Sequence, residues 1–335
     1  MVEPGPPVLS VVIPAHNEVS HLDASLRVVF GHLEALGEKF EMIVVDDGSS
    51  DGTWAALQRL AAGDARVRAI RLSRRFGKEA AICAGLIEAR GRATVVMDSD
   101  LQHPPLLIPE MFRLWKDEGF DLVEAVKVER GRESLASAVS ARLFYRLFRR
   151  LSGIPLDGAT DFKLLDRKVI DAWARLPERN VFFRGMCAWT GFRRCQVPLA
   201  VPERSGGRSQ WSSIRLLGLA VDSITSFSAI PIYLITAIGA LFLIFAAGLG
   251  ALAVYYQATG QSLAGFPTVI LVELLVGSAV LISLGIVGQY IAKIYDEVKA
   301  RPRFLVAETT PETGQAPAAS DGVHLQTEDA GPDRR

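Results

Sequence analysis

Two long apolar runs late in the chain restrict its fold more than any other feature. Pro231–Tyr256 contains no charged residue, and Phe266–Ala292 contains one, Glu273. At a helical rise of ~1.5 Å per residue, each run is long enough for a hydrocarbon core of ~30 Å. A two-helix transmembrane hairpin is therefore expected over 231–256 and 266–292. The connection between them, QATGQSLAG, is uncharged. Arg208 and Arg215 precede the first run, and Lys293, Lys299, Arg301 and Arg303 follow the second. Positive residues stay on the cytoplasmic side, so both termini and the remainder of the chain are expected there. An ionisable group inside a span is costly and usually faces protein or water. Glu273 either lines a subunit interface or a lipid-phosphate path, or has no role.

The 335 residues leave room for one full-sized domain beside the hairpin. Lysine plus arginine number 37 and aspartate plus glutamate 37, so charge gives no pointer to a nucleic-acid partner. A mean hydropathy of +0.23 is high for a soluble enzyme, and the excess lies after residue 230. The opening MVEPGPPVLS lacks a basic stretch followed by an apolar one and reads as no cleaved signal. Cys83, Cys187 and Cys195 are odd in number and far apart, matching neither a disulfide framework nor a zinc site.

From Val8 to about Val126, β-branched runs alternate with helical patterns. Val8–Pro14, Glu41–Asp46, Val67–Leu72 and Ala93–Asp98 read as strands buried on both faces. Val19–Leu36, Gly52–Ala62 and Lys78–Ala89 carry apolar residues at helical spacing. Such alternation predicts an α/β fold with a largely parallel open sheet, whose ligands bind beyond the carboxyl ends of the strands. Each strand ends in polar residues, so His16–Glu18, Asp46–Asp47, Ser73–Arg74 and Asp98–Asp100 should meet along one edge. Residues 134–151 (SLASAVSARLFYRLFRRL) put Leu135, Val139, Leu143, Leu147 and Leu151 on one stripe among four arginines. This basic amphipathic helix either lies in the membrane surface or packs on the α/β domain.

Asp98-Ser99-Asp100 follows an apolar strand. Two carboxylates one residue apart at a strand end can share a hard divalent cation that also takes diphosphate oxygens. The cation offsets charge building on a departing nucleoside diphosphate. Alone, D-x-D is a weak signal, because two acids in a loop are usually solvated.

The full set of motifs is more specific. VVIPAHNE (11–18), VVDDGSSDGT (44–53), LSRRFGKEAA (72–81) and MDSDLQHPP (97–105) resemble glycosyltransferase family 2. Within it they are most similar to the polyprenyl-phosphate glycosyltransferases, which include dolichol-phosphate mannose synthases and undecaprenyl-phosphate glucosyltransferases. GATDFKLLDRKV (158–169), RNVFFRG (179–185) and ERSGGRSQW (203–211) agree, so the resemblance spans roughly residues 8–305. It implies a GT-A catalytic domain, Rossmann-like with a mostly parallel sheet, over 1–210. A juxtamembrane helix at 211–230, the hairpin, a cytoplasmic return segment at 293–306 and a disordered tail at 307–335 complete the expected organisation. The resemblance further implies a bacterial inner-membrane enzyme, Mg²⁺ or Mn²⁺, and a homo-oligomer, with a tetramer suggested.

Carried over residue by residue, the resemblance sets Pro14, His16 and Glu18 around the nucleoside, although the aromatic residue frequent at position 16 is absent. Asp46 or Asp47 would hold the base or ribose; as a structural turn, DDGSSDG equally well starts a helix. Asp98 would meet the ribose and metal side, and Asp100 and Gln102 would ligate the metal. Lys78, at an expected helix start, either approaches the diphosphate or is a solvated lysine. His103 reads as a packing residue. Asp161 is the family's candidate catalytic aspartate. A phosphate monoester acceptor has a second pKa near ~6 and is already mostly a dianion, so it needs little general-base help. Asp161 is therefore expected to orient the acceptor and stabilise positive charge on the sugar carbon. Lys127, Arg130, Arg132, Arg184, Arg204 and Ser209 are the candidates for the acceptor phosphate, arginine because its fork donates two parallel hydrogen bonds. Gln210 stands where many relatives have lysine, and Ser137 and Ala138 replace residues often basic.

The expected reaction is inverting transfer of a hexose from a nucleoside diphosphate sugar to a polyprenyl phosphate. UDP-glucose is favoured, with GDP-mannose, UDP-amino-arabinose and UDP-N-acetylhexosamine left open. Two spans and no Q-x-x-R-W block speak against a processive synthase. A dead nucleotide-sugar-binding module conflicts with the intact Asp98, Asp100, Gln102 and Asp161. A dinucleotide oxidoreductase conflicts with the lack of G-x-G-x-x-G after the first strand.

Overall fold

Runs of valine and isoleucine without a polar face need cover on both sides. A computed structural model of the chain describes residues 6–127, 150, 158–176, 178, 182–199, 230–259 and 266–310. Strands β1 (Leu9–Ala15), β2 (Phe40–Asp46) and β4 (Ala93–Val96) are buried at every residue. In β3 (Val67–Leu72) only Arg68 and Arg71 are half-exposed. Helices α1 (Leu22–Glu34), α2 (Thr53–Gly63) and α3 (Lys78–Glu88) connect them, and α4 (Ile108–Glu118) follows β4. Leu9, Val11 and Ile13 of β1 meet Leu22, Leu26, Val29 and Leu33 of α1 on one face of the sheet. Val12 faces the other way, into a second core with Ala81, Ile82 and Leu86 of α3. That is the two-residue alternation of a strand seen from both sides. Each leucine or valine so buried stabilises the fold by about 1.5–3 kcal/mol.

The sheet continues through β5 (Leu122–Lys127), β6 (Ala159–Asp166) and β7 (Arg194–Leu199), with α5 (Arg167–Ala174) and α6 (Phe183–Trp189) on the α3 face. Its eight strands run in the order β7-β5-β6-β4-β1-β2-β3-β8. β4, β1, β2 and β3 are mutually parallel, as are β5 and β7; β6 and β8 run against their neighbours. The register of β4 on β6 pairs Val96 with Lys163. Continued two residues, it sets Asp98 opposite Asp161. The reversed direction of β6 thus brings its first residues to the same edge as the carboxyl ends of β1, β2 and β4.

α7 (Ile230–Ala258) and α8 (Phe266–Val298) pack against each other as a hairpin. Within them, Ile235–Tyr256 and Val272–Val298 are apolar enough and long enough to cross a membrane. Their flanks show leucines, isoleucines and valines outward, which an aqueous surface would not tolerate. α8 runs six residues past the expected end at 292.

The expected tail from 307 onward is corrected at its start. Val306–Thr309 forms β8, antiparallel to β3, with Leu72 opposite Val306 and Arg71 opposite Glu308. Without β8, β3 would be an open edge of unpaired backbone groups. Thr310 N–H donates to Ala69 O at 2.9 Å, and Arg303 donates to Leu176 O and lies over the Trp173 ring. The segment leaving the hairpin is thereby strapped to the catalytic domain. The amphipathic helix expected at 134–151 lies outside the described residues except Arg150, and the juxtamembrane helix at 211–230 except Ile230.

Candidate active site

The β1–β2 corner is built from short polar side chains that bond to backbone. His16 Nδ1 donates to the Asp47 carbonyl at 2.9 Å, since a carbonyl only accepts. Asn17 sits at φ 57, a left-handed conformation that asparagine tolerates better than most. Its side-chain oxygen accepts the Ser50 N–H at 2.9 Å, and its own N–H donates to Ser49 Oγ. Asp46 Oδ1 accepts the Ser49 N–H at 3.0 Å. Asp47 accepts the N–H of Phe76 at 2.7 Å and of Gly77 at 2.9 Å, pinning the loop that leads into α3. Asp51 accepts the Thr53 N–H at the start of α2. Gly48 has φ 63, and a Cβ there would stand 2.5 Å from the Arg74 carbonyl carbon. Two loops can meet this closely only through glycine. Pro14 is buried at the end of β1.

At the β4–β6 corner the carboxylates meet cations instead. Lys78, the first residue of α3, places Nζ 2.5 Å from Asp98 Oδ1 and 2.6 Å from Asp161 Oδ2. Arg184, in the first turn of α6, donates from Nε to Asp161 Oδ1 at 2.6 Å and from Nη2 to Oδ2 at 2.9 Å. Asp161 is buried, whereas Lys78 and Arg184 keep 40% and 38% of their side chains exposed. Burial opposes ionisation of Asp161. The hydrogen bonds and charge of Arg184, with Lys78 behind them, prevail and hold its carboxyl well below the usual range. Lys78 is desolvated too, yet Asp161 and Asp98 raise its pKa. An aspartate so held is a poor base and a firm anchor for positive charge.

Asp100 is exposed, and its Oδ1 accepts the Gln102 N–H at 3.0 Å. Between them Leu101 adopts φ 55, a strained conformation for a bulky residue, in the loop that carries the expected metal ligands. Glu18 pairs with His21; burial, and then the charges of Asp100 and Asp51, raise its pKa. Negative charge therefore gathers around Asp100, with His21 paired to Glu18 and Lys78 to Asp98 beside it. That donor set fits a hard divalent ion that takes its remaining ligands from phosphate and water. Among the described residues no three acidic, histidine or cysteine side chains converge into a preformed cluster. His103 is buried and stacked on Phe162, with burial lowering its pKa.

Lys127 ends β5 at the same sheet edge, and Val126 beside it pairs with Ala159. Of the expected phosphate ligands, Arg130, Arg132, Arg204 and Ser209 lie outside the described residues. Arg184 falls on Asp161, a partner that its place in an R-N-V-F-F-R-G run did not reveal. Four further residues had no individual role assigned from the sequence. Asn17 and Ser49 knit the first corner together, and Glu79, next to Lys78, accepts the Phe183 N–H at 2.9 Å. Lys163, two residues beyond Asp161 on the same face of β6, is fully buried in an ion pair with Glu124. All three cysteines are free, and burial pushes Cys83 and Cys187 up to about 12, beyond any reactive range.

Comparisons with known proteins show the family. Residues 10–173 match the glycosyl transferase family 2 model. An uncharacterized glycosyltransferase, YkcC, of Bacillus subtilis is 37% identical over 307 residues, covering 90% of this chain and 93% of that protein. The bactoprenol glucosyl transferase of Shigella phage SfII is 32% identical, covering 90% and 98%. A mannosyltransferase of Pyrobaculum calidifontis, solved with GDP-mannose and Mn²⁺, covers 88% of this chain and 86% of its own at 19% identity. Its TM-score of 0.42 is too loose to assign any residue. Its similarity to relatives along nearly their whole length shows that the chain belongs to glycosyltransferase family 2.

Proposed function

We propose that this protein transfers a hexose from a nucleoside diphosphate sugar to a polyprenyl phosphate at the cytoplasmic face of the membrane, inverting the anomeric centre. The observation that carries the reading is the chain Asp98–Lys78–Asp161–Arg184, in which two half-exposed cations flank one buried carboxylate. Both substrates bring phosphate charge to this edge. The cations can turn from Asp161 toward phosphate oxygens, and Arg184 can offer its parallel N–H pair. Asp161, released in part, then faces the sugar carbon as it becomes positive. An acceptor phosphate with a second pKa near ~6 is already charged, so displacement needs orientation and charge balance more than proton removal. No second nucleophile is required, and a single displacement inverts.

His16, Glu18, Asp46, Asp47 and Pro14, at the end of β1 and β2, would take the nucleoside. Asp98, Asp100 and Gln102 would hold Mg²⁺ or Mn²⁺, which supplies Lewis-acid stabilisation to the departing diphosphate. The lipid acceptor fits a chain with two helices able to span a bilayer, and the basic residues flanking the spans favour a cytoplasmic catalytic domain. UDP-glucose is the favoured donor, since relatives named bactoprenol glucosyl transferase match 90% of this chain over 98% of their own length.

The test is sugar transfer from labelled UDP- and GDP-sugars to undecaprenyl phosphate by the full-length protein in detergent or liposomes, with Mg²⁺, Mn²⁺ or EDTA. Metal-dependent labelling from UDP-glucose is expected. Labelling from another donor alone corrects the sugar, and absence of transfer from every donor removes the reading.

A further inference from the structure

The N–H groups in the first turn of a helix have no partner within that helix, and a buried one must find an acceptor elsewhere. α6 opens at Phe183, whose side chain is fully buried, and Met186 and Cys187 hold its apolar face in the second core. The acceptor for the Phe183 N–H is Glu79 Oε2 at 2.9 Å, 104 residues away in the chain. Phe183 is followed directly by Arg184, the residue that grips Asp161 through two hydrogen bonds. Glu79 in turn follows Lys78, which holds Asp161 from the other side.

We propose that Glu79 is a positioning residue of the transfer site: by holding the Phe183 N–H it fixes the first turn of α6, and with it the Arg184 fork on Asp161. The inference rests on the glycosyl-transfer reading of that site. Glu79 touches neither substrate nor reacting atoms; it joins α3 to α6, the two elements that supply the two cations.

Its charge has a consequence for pH. Lys78 and Arg184 already pair with Asp98 and Asp161, so they only partly offset the negative charge of an ionised Glu79. The groups facing it are Lys78 and Cys83 on α3, Asp161 on β6, and Arg184 and Cys187 on α6. Burial first, and then the Asp161 charge, push its carboxyl up to about 7 from an ordinary 4.5; the Phe183 N–H, Arg184 and Lys78 only partly oppose this. A protonated Glu79 still accepts the N–H through its carbonyl oxygen. Phosphate charge arriving at Asp161 favours that neutral form, so kcat/KM, which reports the free protein, should fall as pH rises through about 7. Stability follows the same sign. The raised pKa contributes stability below 4.5 that is lost as pH climbs through about 7.

The experiment compares Glu79→Ala and Glu79→Gln with wild type in the transfer assay between pH 5.5 and 8.5, with thermal unfolding alongside. Expected for Glu79→Ala is a loss of about 10–100-fold in kcat, with the donor KM within about 2-fold. Glu79→Gln, which keeps the acceptor and stays neutral, should recover kcat to within about 3-fold. It should also lack the falling limb above pH 7, while the limb near ~6 that belongs to the acceptor phosphate persists. The wild-type unfolding temperature should decline relative to Glu79→Gln from pH 5.5 to about 7 and level off above it. Wild-type kcat in the alanine variant, a loss that glutamine does not restore, or a falling limb that survives in Glu79→Gln would overturn the inference. Failure of the wild type to transfer from any donor would instead overturn the parent reading, and it shows before any variant is made.

Discussion

At the β1–β2 corner, Asp46, Asp47 and Asp51 take hydrogen bonds from the backbone N–H groups of Ser49, Phe76, Gly77 and Thr53. At the β4–β6 corner, Asp98 and Asp161 take theirs from the side chains of Lys78 and Arg184. The two corners share one sheet edge and one residue type, yet their carboxylates do different work. A bond to backbone cannot be exchanged without moving a loop, so the first set braces the walls of the site. Lysine and arginine side chains that are more than a third exposed can swing to a phosphate and back, so the second set can take part in turnover. The comparison predicts that substitutions at the first corner register mainly as stability, and at the second mainly as rate.

The largest effect should come from Asp161→Asn. Losing the charge that anchors Lys78 and Arg184 should lower kcat by about 10²–10⁴-fold. The unfolding temperature should fall by only a few degrees, because both freed cations are more than a third exposed and reach water. Raising the pH should not restore the rate, since the wild-type group is ionised across the neutral range. Recovery at high pH would mean base catalysis, and a large loss of stability would erase the distinction between the corners. Lys163→Met sharpens it from below. That cation also pairs with a carboxylate, but both partners are sealed in the sheet, so the orphaned Glu124 should cost about 3–5 kcal/mol of stability. Adding Glu124→Leu should recover most of it, as measured by denaturant unfolding.

Asp47→Ala should follow at about 2–3 kcal/mol, the worth of hydrogen bonds from two N–H groups to one buried charge. Its signature is a lowered unfolding temperature and a raised donor KM, as the Phe76–Gly77 loop loosens, with kcat for bound donor little changed. A kcat loss comparable to that of Asp161→Asn would move Asp47 from brace to participant.

The strand–helix alternation up to Val126 was legible because β-branched runs and helical spacing are local signals. So were the two spans, which need only length and lack of charge. β6 was quoted as a motif and not as a strand: its D-F-K-L core carries a lysine that only a partner strand's glutamate makes tolerable. β8 was hidden for a related reason. Four residues beside a Thr- and Pro-rich stretch show no period, and their reason for being extended is the open edge of β3, more than 230 residues earlier. In the site, the resemblance pointed to Asp98 and Asp161 separately. Their juxtaposition depends on the reversed direction of β6, and Arg184 meets Asp161 only because α6 folds back under α3. Glu79 had no local signal at all, since its partner is a backbone N–H.

The smallest expected effect lies where the strap meets the first corner. Glu308 accepts from Trp54 Nε1 and from Arg71 Nη1, each at 3.0 Å, and Arg71 Nε stands 3.5 Å from Asp46 Oδ2. Among the described residues this is the one place where a side-chain cation reaches the backbone-bound carboxylates. Glu308 and Arg71 are 47% and 33% exposed, so solvent screens the pair and its contribution should not exceed about 0.5 kcal/mol. Glu308→Gln keeps an acceptor for Trp54 and removes only the charge. The unfolding temperature should shift by less than about 2 °C and the donor KM by less than about 2-fold. A larger rise in KM at unchanged stability would show that Arg71 carries the strap's charge to Asp46. The first corner would then be tuned from the membrane-anchored end of the chain, and brace and participant would no longer divide along the sheet edge.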